Sequence, residues 1–372
     1  MDLTIDRASL AAALARAAAI TPKTSTNPAL CHVLIDATAA GVALTASDTQ
    51  LTLTTTHAAN VEGAGRITAD ASTLLQVAKA MAGDVVRLRA GSNRKLTVAS
   101  GSAQFNILGG DPDDFPPLPT QTERARITVQ GGGLRRILDE TLFSVSADEN
   151  RYGLNGGFIQ QVTTDAGAPA LRLASTDGSR LSYSETAYTG DLKTNGKMLI
   201  PRRAMAEIRK MITDDTADWS IAFGDRSAVV STAGLSLIVR LIEGEFPDYR
   251  QVLPTSFKRR AEVDRSDLDK ALRNVSIMAT DRNHLARFRF DTDRLVLTAA
   301  NVEAGDARSE VPIDMTGTPI DIGFNVRFLQ DVLSNTRSDR VTIELGEGLD
   351  PCIVRLPGRD DCLFVVMPMR LD

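Results

Sequence analysis

Three stretches govern the reading of this chain: VALTASD (Val42 to Asp48), LRLASTD (Leu171 to Asp177) and LVLTAAN (Leu295 to Asn301). Each is an apolar, strand-like run that closes on a small residue followed by a carboxylate or an amide. The copies lie about 125 residues apart, longer than a solenoid unit and close to the size of a small domain. Recurrence at that period predicts a fold built three times over.

The flanks of the three runs agree. A helical pattern precedes each one, as DRASLAAALARAAAI (Asp6 to Ile20), GGGLRRILDETLFSV (Gly131 to Val145) and DRSDLDKALRNVSIM (Asp264 to Met278). Leu134, Leu138, Thr141 and Val145 give the second its buried stripe, and Leu268, Leu272 and Val275 give the third. A second helical pattern follows each run: ASTLLQVAKAM (Ala71 to Met81), PRRAMAEIRKMI (Pro201 to Ile212) and NVRFLQDVLSN (Asn325 to Asn335), with Pro201 suited to a first helical turn. Alternating runs with Gly-containing turns come next, over 85–108, 219–242 and 340–367, and predict antiparallel hairpins. Proline-rich stretches, DDFPPLP (Asp113 to Pro119) and EFPDYRQVLP (Glu245 to Pro254), close the first two units. The expected architecture is α+β: three repeated domains over 1–122, 123–254 and 255–372, each with two helices packed on antiparallel sheet.

Composition bounds the function. With 372 residues, 43% of them hydrophobic and 24% charged, the chain can bury several cores. It has no apolar run approaching the roughly 20 residues that span a bilayer and no signal-like start, so a cytoplasmic location is expected. Cys31, Cys352 and Cys362 form no C-x-x-C pair and read as small apolar residues. The formal net charge of -5 argues against a surface that grips nucleic acid everywhere, although a sum can conceal a basic face. Helical-wheel geometry places Lys79, Arg136, Arg203, Lys210, Lys270 and Arg273 away from the apolar stripes. Such segregation would let a duplex pass along helix faces at low non-specific affinity.

Five segments, in this order and spacing, resemble one family: ENRYGLNG (Glu149 to Gly156), ASTDGSRLS (Ala174 to Ser182), GEFPDYRQVLP (Gly244 to Pro254), IGFNVRFLQDVL (Ile322 to Leu333) and VVMPMRL (Val365 to Leu371). The chain resembles, over essentially its whole length, the beta subunit of bacterial DNA polymerase III, the replicative sliding clamp. The resemblance implies two chains joined head to tail into a closed six-domain ring around double-stranded DNA, read without regard to sequence. It implies no catalysis, no cofactor, no metal and no membrane. It also implies a pocket that tethers polymerase, clamp loader and repair proteins by short hydrophobic motifs. The matching pocket positions are Leu154, Thr176, Gly178, Arg180, Leu181, Pro247, Val252, Asn325, Phe328, Val365, Val366, Met367, Pro368, Met369, Arg370 and Leu371. Leu, Val and Met walls suit an aromatic or leucine anchor, and Met367 and Met369 are adaptable enough to admit several partners. DNA contacts fall by the same resemblance on Lys23, Arg151 and Tyr152, joined by the helix-face residues already named. A dimer seam falls on Phe105 and Ile107 against Ile277 and Met278. Ser179, Gly153 and Gln251 depart from the family pattern, placing smaller or neutral groups where that pattern has basic or aromatic ones.

Two other readings compete. An enzyme would need a site, and the acidic group Asp111, Asp113 and Asp114 could hold a divalent metal, but it sits among Gly109, Gly110, Pro112 and Pro116 in a connector where solvated acid is the ordinary explanation. His32, His57 and His284 are scattered, and no P-loop or G-x-S-x-G elbow occurs. A protein-interaction scaffold built from the same repeats but not dedicated to DNA is the third reading.

Overall fold

The computed structural model describes residues 1–91, 93–119, 122–148, 150–164, 166–192, 198–280 and 283–371, without the side chain of Tyr152. Its α-helices are α1 (Arg7–Ile20), α2 (Ala71–Ala80), α3 (Gly131–Leu142), α4 (Arg202–Met211), α5 (Arg265–Ser276) and α6 (Val326–Ser334). They fall in the six places where apolar spacing predicts them. Four start on a side-chain cap that satisfies an otherwise orphaned N–H: Asp6 accepts from Ser9 N at 2.7 Å, Asp70 from Thr73 N at 2.7 Å, Asp264 from Asp267 N at 3.0 Å and Asn325 from Arg327 N at 2.9 Å. The middle repeat differs, since Gln130 and Pro201 cap α3 and α4 without a side-chain bond; Pro201 therefore stands one place before the first helical turn.

The three decisive runs are strands, Gly41–Ser47, Pro169–Thr176 and Arg294–Asn301. The repeat also shows in the hydrogen bonds. The start of each leading helix donates to the chain just before the repeat's last hairpin: Arg7 N to Asp84 O at 2.8 Å, Gly132 N to Asp215 O at 2.8 Å, and Arg265 N to Asp339 O at 2.9 Å. In α1 the buried face is Leu10, Ala13, Leu14, Ala17 and Ile20, spaced by three and four. Each large side chain so buried contributes about 1.5–3 kcal/mol.

The chain forms two compact units, Met1–Thr128 with Ala217–Leu241, and Val129–Thr216 with Ile242–Asp372. The middle repeat thus divides between them, because strand pairing continues from one repeat into the next. In the first unit Leu235–Arg240 pairs with Leu51–His57, so the hairpins of 218–240 extend the sheet made by Gly41–Ser47, His32–Thr38 and Gly65–Asp70. A separate five-stranded sheet runs Asn60–Gly63, Asp2–Asp6, Val85–Ala90, Lys95–Ser100, Ala103–Leu108, with Ala103–Leu108 at its edge. In the second unit Arg180–Ala187 pairs with Arg359–Val366 and joins two repeats into a twelve-stranded sheet. Helix α3 lies on Arg180–Ala187 and α5 on Gly305–Thr316.

Among the described residues no helix is long and apolar enough to cross a membrane, and no group of three or more His, Cys, Asp or Glu is placed to hold a metal. Asp111 pairs with Arg94 at 2.7 Å and Asp113 lies 3.8 Å from Arg66, so the acidic connector is held by neighbouring cations. Cys352 and Cys362 are buried; burial pushes the Cys362 thiol up to about 12 and raises Cys352 as well, which leaves both as unreactive apolar residues. Cys31 is only half-buried.

Candidate peptide pocket and cationic helix faces

The strand pair that joins the second and third repeats positions the pocket. Arg180 stands opposite Val366, Leu181 opposite Val365 and Tyr183 opposite Leu363. Side chains alternate between faces, so Leu181, Tyr183, Leu363 and Val365 gather on one side with Ala174, Tyr249 and Ile353. Val366, Phe364 and Cys362 turn to the other side and join the core beneath α5 and α6. Val366 is accordingly a core residue and not part of the pocket surface.

The segment Gly244–Pro254 supplies the facing wall. Phe246 stacks on Phe158 with ring centroids 5.1 Å apart and meets the edge of Tyr249 at 6.2 Å. The Tyr249 hydroxyl donates to Gln160 Oε1 at 2.8 Å and accepts from Arg172 Nη1 at 3.1 Å, and the Arg172 guanidinium lies 4.1 Å from the Tyr183 ring centroid. These contacts fix a wall that sequence alone would leave as a loop. Gly153 admits the segment, because a Cβ there would stand 2.5 Å from the Glu245 carbonyl oxygen. The absence of an aromatic at Gly153 therefore has a steric cause in this chain.

Between these walls is an apolar cavity of about 220 Å³ lined by Leu154, Thr176, Gly178, Arg180, Leu181, Pro247, Asp248, Tyr249, Val252, Val365 and Met367. Nine of the sequence-derived pocket positions meet here. Asp248 and Tyr249 were missed, although both lie inside GEFPDYRQVLP between Pro247 and Val252. Asn325, Phe328, Pro368, Met369, Arg370 and Leu371 do not line the cavity. Asn325 caps α6, and Phe328 sits under Arg180, whose guanidinium is 4.6 Å from its ring centroid. The tail is tied down by Met367 N donating to Ser179 O at 2.9 Å and Met369 N to Gly323 O at 2.8 Å. Gly178 turns at φ +91, a conformation that glycine adopts without strain, and leaves room for the Arg151 guanidinium above it.

A larger cleft of about 530 Å³ has a polar lining that includes Arg172, Glu185, Arg355, Arg359 and Asp361. Its three arginines are matched: Arg172 with Glu185, Arg359 with Asp361 at 2.8 Å and Arg355 with Glu344 at 2.8 Å. It offers no apolar seat for an anchor, so the smaller cavity is the better candidate.

The cations named as DNA contacts fall into three groups. Lys23 and Lys79 are exposed, as is Arg203, which is not free of partners. Lys210, Lys270 and Arg273 are exposed but paired along their own helices, with Glu207 at 2.8 Å, Asp267 at 3.0 Å and Asp269 at 2.9 Å. Arg136 and Arg151 are engaged elsewhere. Arg136 is half-buried, donates to Asp361 at 2.6 Å and to the Glu185 carbonyl at 2.8 Å, and lies 3.8 Å from Glu140, so the outward position given by the helical wheel does not hold. Arg151 donates to the Asp177 carbonyl at 2.6 Å beside the pocket. The side chain of Tyr152 lies outside the described residues.

Of the seam residues, Phe105 is 41% exposed on an edge strand and Ile277 is 67% exposed just beyond α5, so neither is core. Ile107 is half-buried, and Met278 is half-buried against the core of the second unit. Leu108, 81% exposed at the end of the same edge strand, was missed. An unpaired apolar edge is a ready surface for another chain.

Profiles of the DNA polymerase III beta subunit match the chain three times, the N-terminal domain over residues 1–119, the central domain over 128–248 and the C-terminal domain over 250–370. A beta sliding clamp of Caulobacter vibrioides is 29% identical over 374 residues, covering 100% of both chains. The crystal structure of a sliding clamp (DNA polymerase III subunit beta) from Bartonella birtlesii bound to griselimycin is similar with a TM-score of 0.94, 30% identity and 100% of each chain covered. A polymerase sliding clamp from Pseudomonas aeruginosa gives a TM-score of 0.88 at 27% identity, again over 100% of each chain. Three successive domain matches on three internal repeats, with relatives alike from end to end, mean that this chain belongs to the DNA polymerase III beta subunit family, the beta sliding clamps.

Proposed function

We propose that two copies of this chain close head to tail into a non-catalytic ring that slides on duplex DNA in the cytoplasm. The ring tethers polymerase, clamp loader and repair proteins through the pocket around Leu181, Tyr249, Val365 and Met367. The observation that carries the tethering role is the apolar cavity at the junction of the second and third repeats, assembled from segments that the family resemblance singled out independently. Domain limits at 122 and 254 follow the proline-rich connectors, and the exposed Phe105 and Ile277 support a seam between copies. A closed ring is compatible with a heterologous contact used twice. Family membership disfavours a scaffold unrelated to DNA.

The cationic helix faces support sliding and not tight binding. Lys210, Lys270 and Arg273 each carry a carboxylate on the same helix, so fewer counterions are released on contact with phosphate. Retention is then topological. The test is to load the protein on nicked circular duplex, isolate the complex and linearise it: persistence on the circle and loss from the linear form are expected, and equal loss from both would refute encirclement. A solution mass near twice 39.9 kDa is expected.

A further inference from the structure

Arg180 contributes to the pocket wall, yet its charge is committed elsewhere. Its side chain is 13% exposed. Nε donates to Asp177 Oδ2 at 2.9 Å and Nη1 donates to Asp331 Oδ2 at 2.5 Å. Its planar face lies 4.6 Å from the Phe328 ring centroid and 5.6 Å from that of Phe143. Arg151 stands beside the same group, donating to the Asp177 carbonyl. The carboxylates of Asp177 and Asp331 thus both face Arg180, while the second guanidinium, Arg151, is held at the Asp177 backbone, and the four charges sum to zero. Asp331 is the member that comes from another repeat: it belongs to α6, near the end where Asn335 Nδ2 donates to its carbonyl at 2.8 Å, and it does not line the cavity.

We propose that Asp331 is a positioning and selectivity residue of the pocket: it holds Arg180 against Phe328 and cancels its charge, so that the wall presents an uncharged surface to apolar anchors. The inference rests on the reading of the cavity as a peptide site. A nearly buried guanidinium needs a partner. Without Asp331, Nη1 is free to turn toward the occupant, and the set of Arg151, Arg180 and Asp177 carries an excess positive charge. Apolar anchors then lose a flat wall, and an acidic residue beside the anchor gains an attraction.

The test measures Kd for two short peptides, one with leucine and phenylalanine anchors and neutral flanks, the other with an aspartate next to the anchor. Both are titrated against the full-length protein and its Asp331→Ala, Asp331→Asn and Asp331→Glu variants, with melting temperatures recorded. The ratio of the two affinities is expected to move toward the acidic peptide by about threefold to tenfold in the Ala and Asn variants, a range typical of one partly screened charge pair. The Glu variant should restore it. If Asp331→Ala does not fold, Asp331→Asn decides, since it keeps an acceptor and loses only the charge. An unchanged ratio, or an equal loss for both peptides that follows a lower melting temperature, would overturn the role of Asp331. Failure of the unsubstituted protein to bind either peptide would instead overturn the pocket reading, and this inference with it.

Discussion

Removing Met367–Asp372 tests the pocket most directly, because the tail contributes a wall without contributing to any helix. A leucine-sized anchor seated in a cavity of about 220 Å³ takes roughly 120 Å² of apolar surface out of water, about 3 kcal/mol at about 25 cal/mol per Å². Met367 packs with Leu181, Val365 and Tyr249, and its loss returns roughly a third of that burial to water, about 1 kcal/mol. The two backbone bonds that anchor the tail, to Ser179 and Gly323, are worth about 1 kcal/mol each, and their loss loosens the turn that carries Gly178. With only part of the tail's bond energy reaching the bound state, these effects predict affinity lower by about tenfold to roughly 150-fold. Fluorescence polarisation of a labelled peptide, on the full chain and on a chain ending at Val366, reads this out, with solution mass as a control. Because Phe105 and Ile277 lie away from the tail in sequence, the mass should stay that of the dimer. Affinity within about twofold of the full chain would refute the wall assignment.

Other outcomes follow from the ion pairs. Glu140 is 3% exposed, accepts from Arg359 Nη1 at 2.5 Å and Nη2 at 3.1 Å and from Ser184 Oγ at 2.5 Å, so Glu140→Ala should lower unfolding free energy in urea by about 3–5 kcal/mol. Replacing Arg359 by Met in the same chain should recover part of this. The Arg87 guanidinium, aided by Arg89, holds the Asp2 carboxyl at about 2 against an ordinary 3.8. A depressed folded value means that the contribution is complete above about pH 4 and is lost as pH falls toward about 2; the stability gap between the natural chain and Asp2→Asn should close across that window in acid titrations. Gly153→Ala should disturb the pocket through the Glu245 carbonyl 2.5 Å from the new Cβ and weaken peptide binding with little change in DNA retention. Lys270→Glu and Arg273→Glu should each change the salt slope of DNA binding by less than about 1, since Asp267 and Asp269 already offset them; a larger change would show that these cations release their carboxylates on DNA.

Much of this architecture is legible in residue order because it is set locally. Spacing by three and four in 10–20 and 268–275, together with the caps Asp6, Asp70, Asp264 and Asn325, depends on neighbours within a turn or two. What is not legible depends on distant partners. Arg136 reads as an outward cation on a wheel, yet its carboxylate, Asp361, is 225 positions away on another repeat. Val366 and Val365 look equivalent as consecutive apolar residues, and only the register Leu181 to Val365 assigns one to the pocket and the other to the core. Tyr249 was within reach, as the aromatic between Pro247 and Val252; its value comes from Gln160 and Arg172, which no local pattern announces. The compact units also escape a reading by repeats, because pairing of Leu235–Arg240 with Leu51–His57 crosses the proline-rich connector.

The strand pair between the second and third repeats explains why the pocket sits where it does. It is pinned at both ends by ions drawn from both repeats: Asp177, Arg180 and Asp331 at the pocket end, and Arg136, Glu140, Arg359 and Asp361 at the other. Partly buried pairs of this kind add little net stability over apolar packing, but they penalise misregister, since a slip leaves the nearly buried Glu140 and Arg180 unpaired. The row of Phe158, Phe246, Tyr249 and Tyr183 then fixes the connector against that strand pair. A pocket held this way is formed before any partner arrives, so a short peptide orders itself but does not have to order its receptor. Adaptability is confined to the rim, where Met367 is partly exposed and the tail beyond it hangs on single backbone bonds. On the proposed reading, a rigid floor with a soft edge is what a receptor for several related motifs requires, and the seam between repeats, not any one repeat, would carry that role.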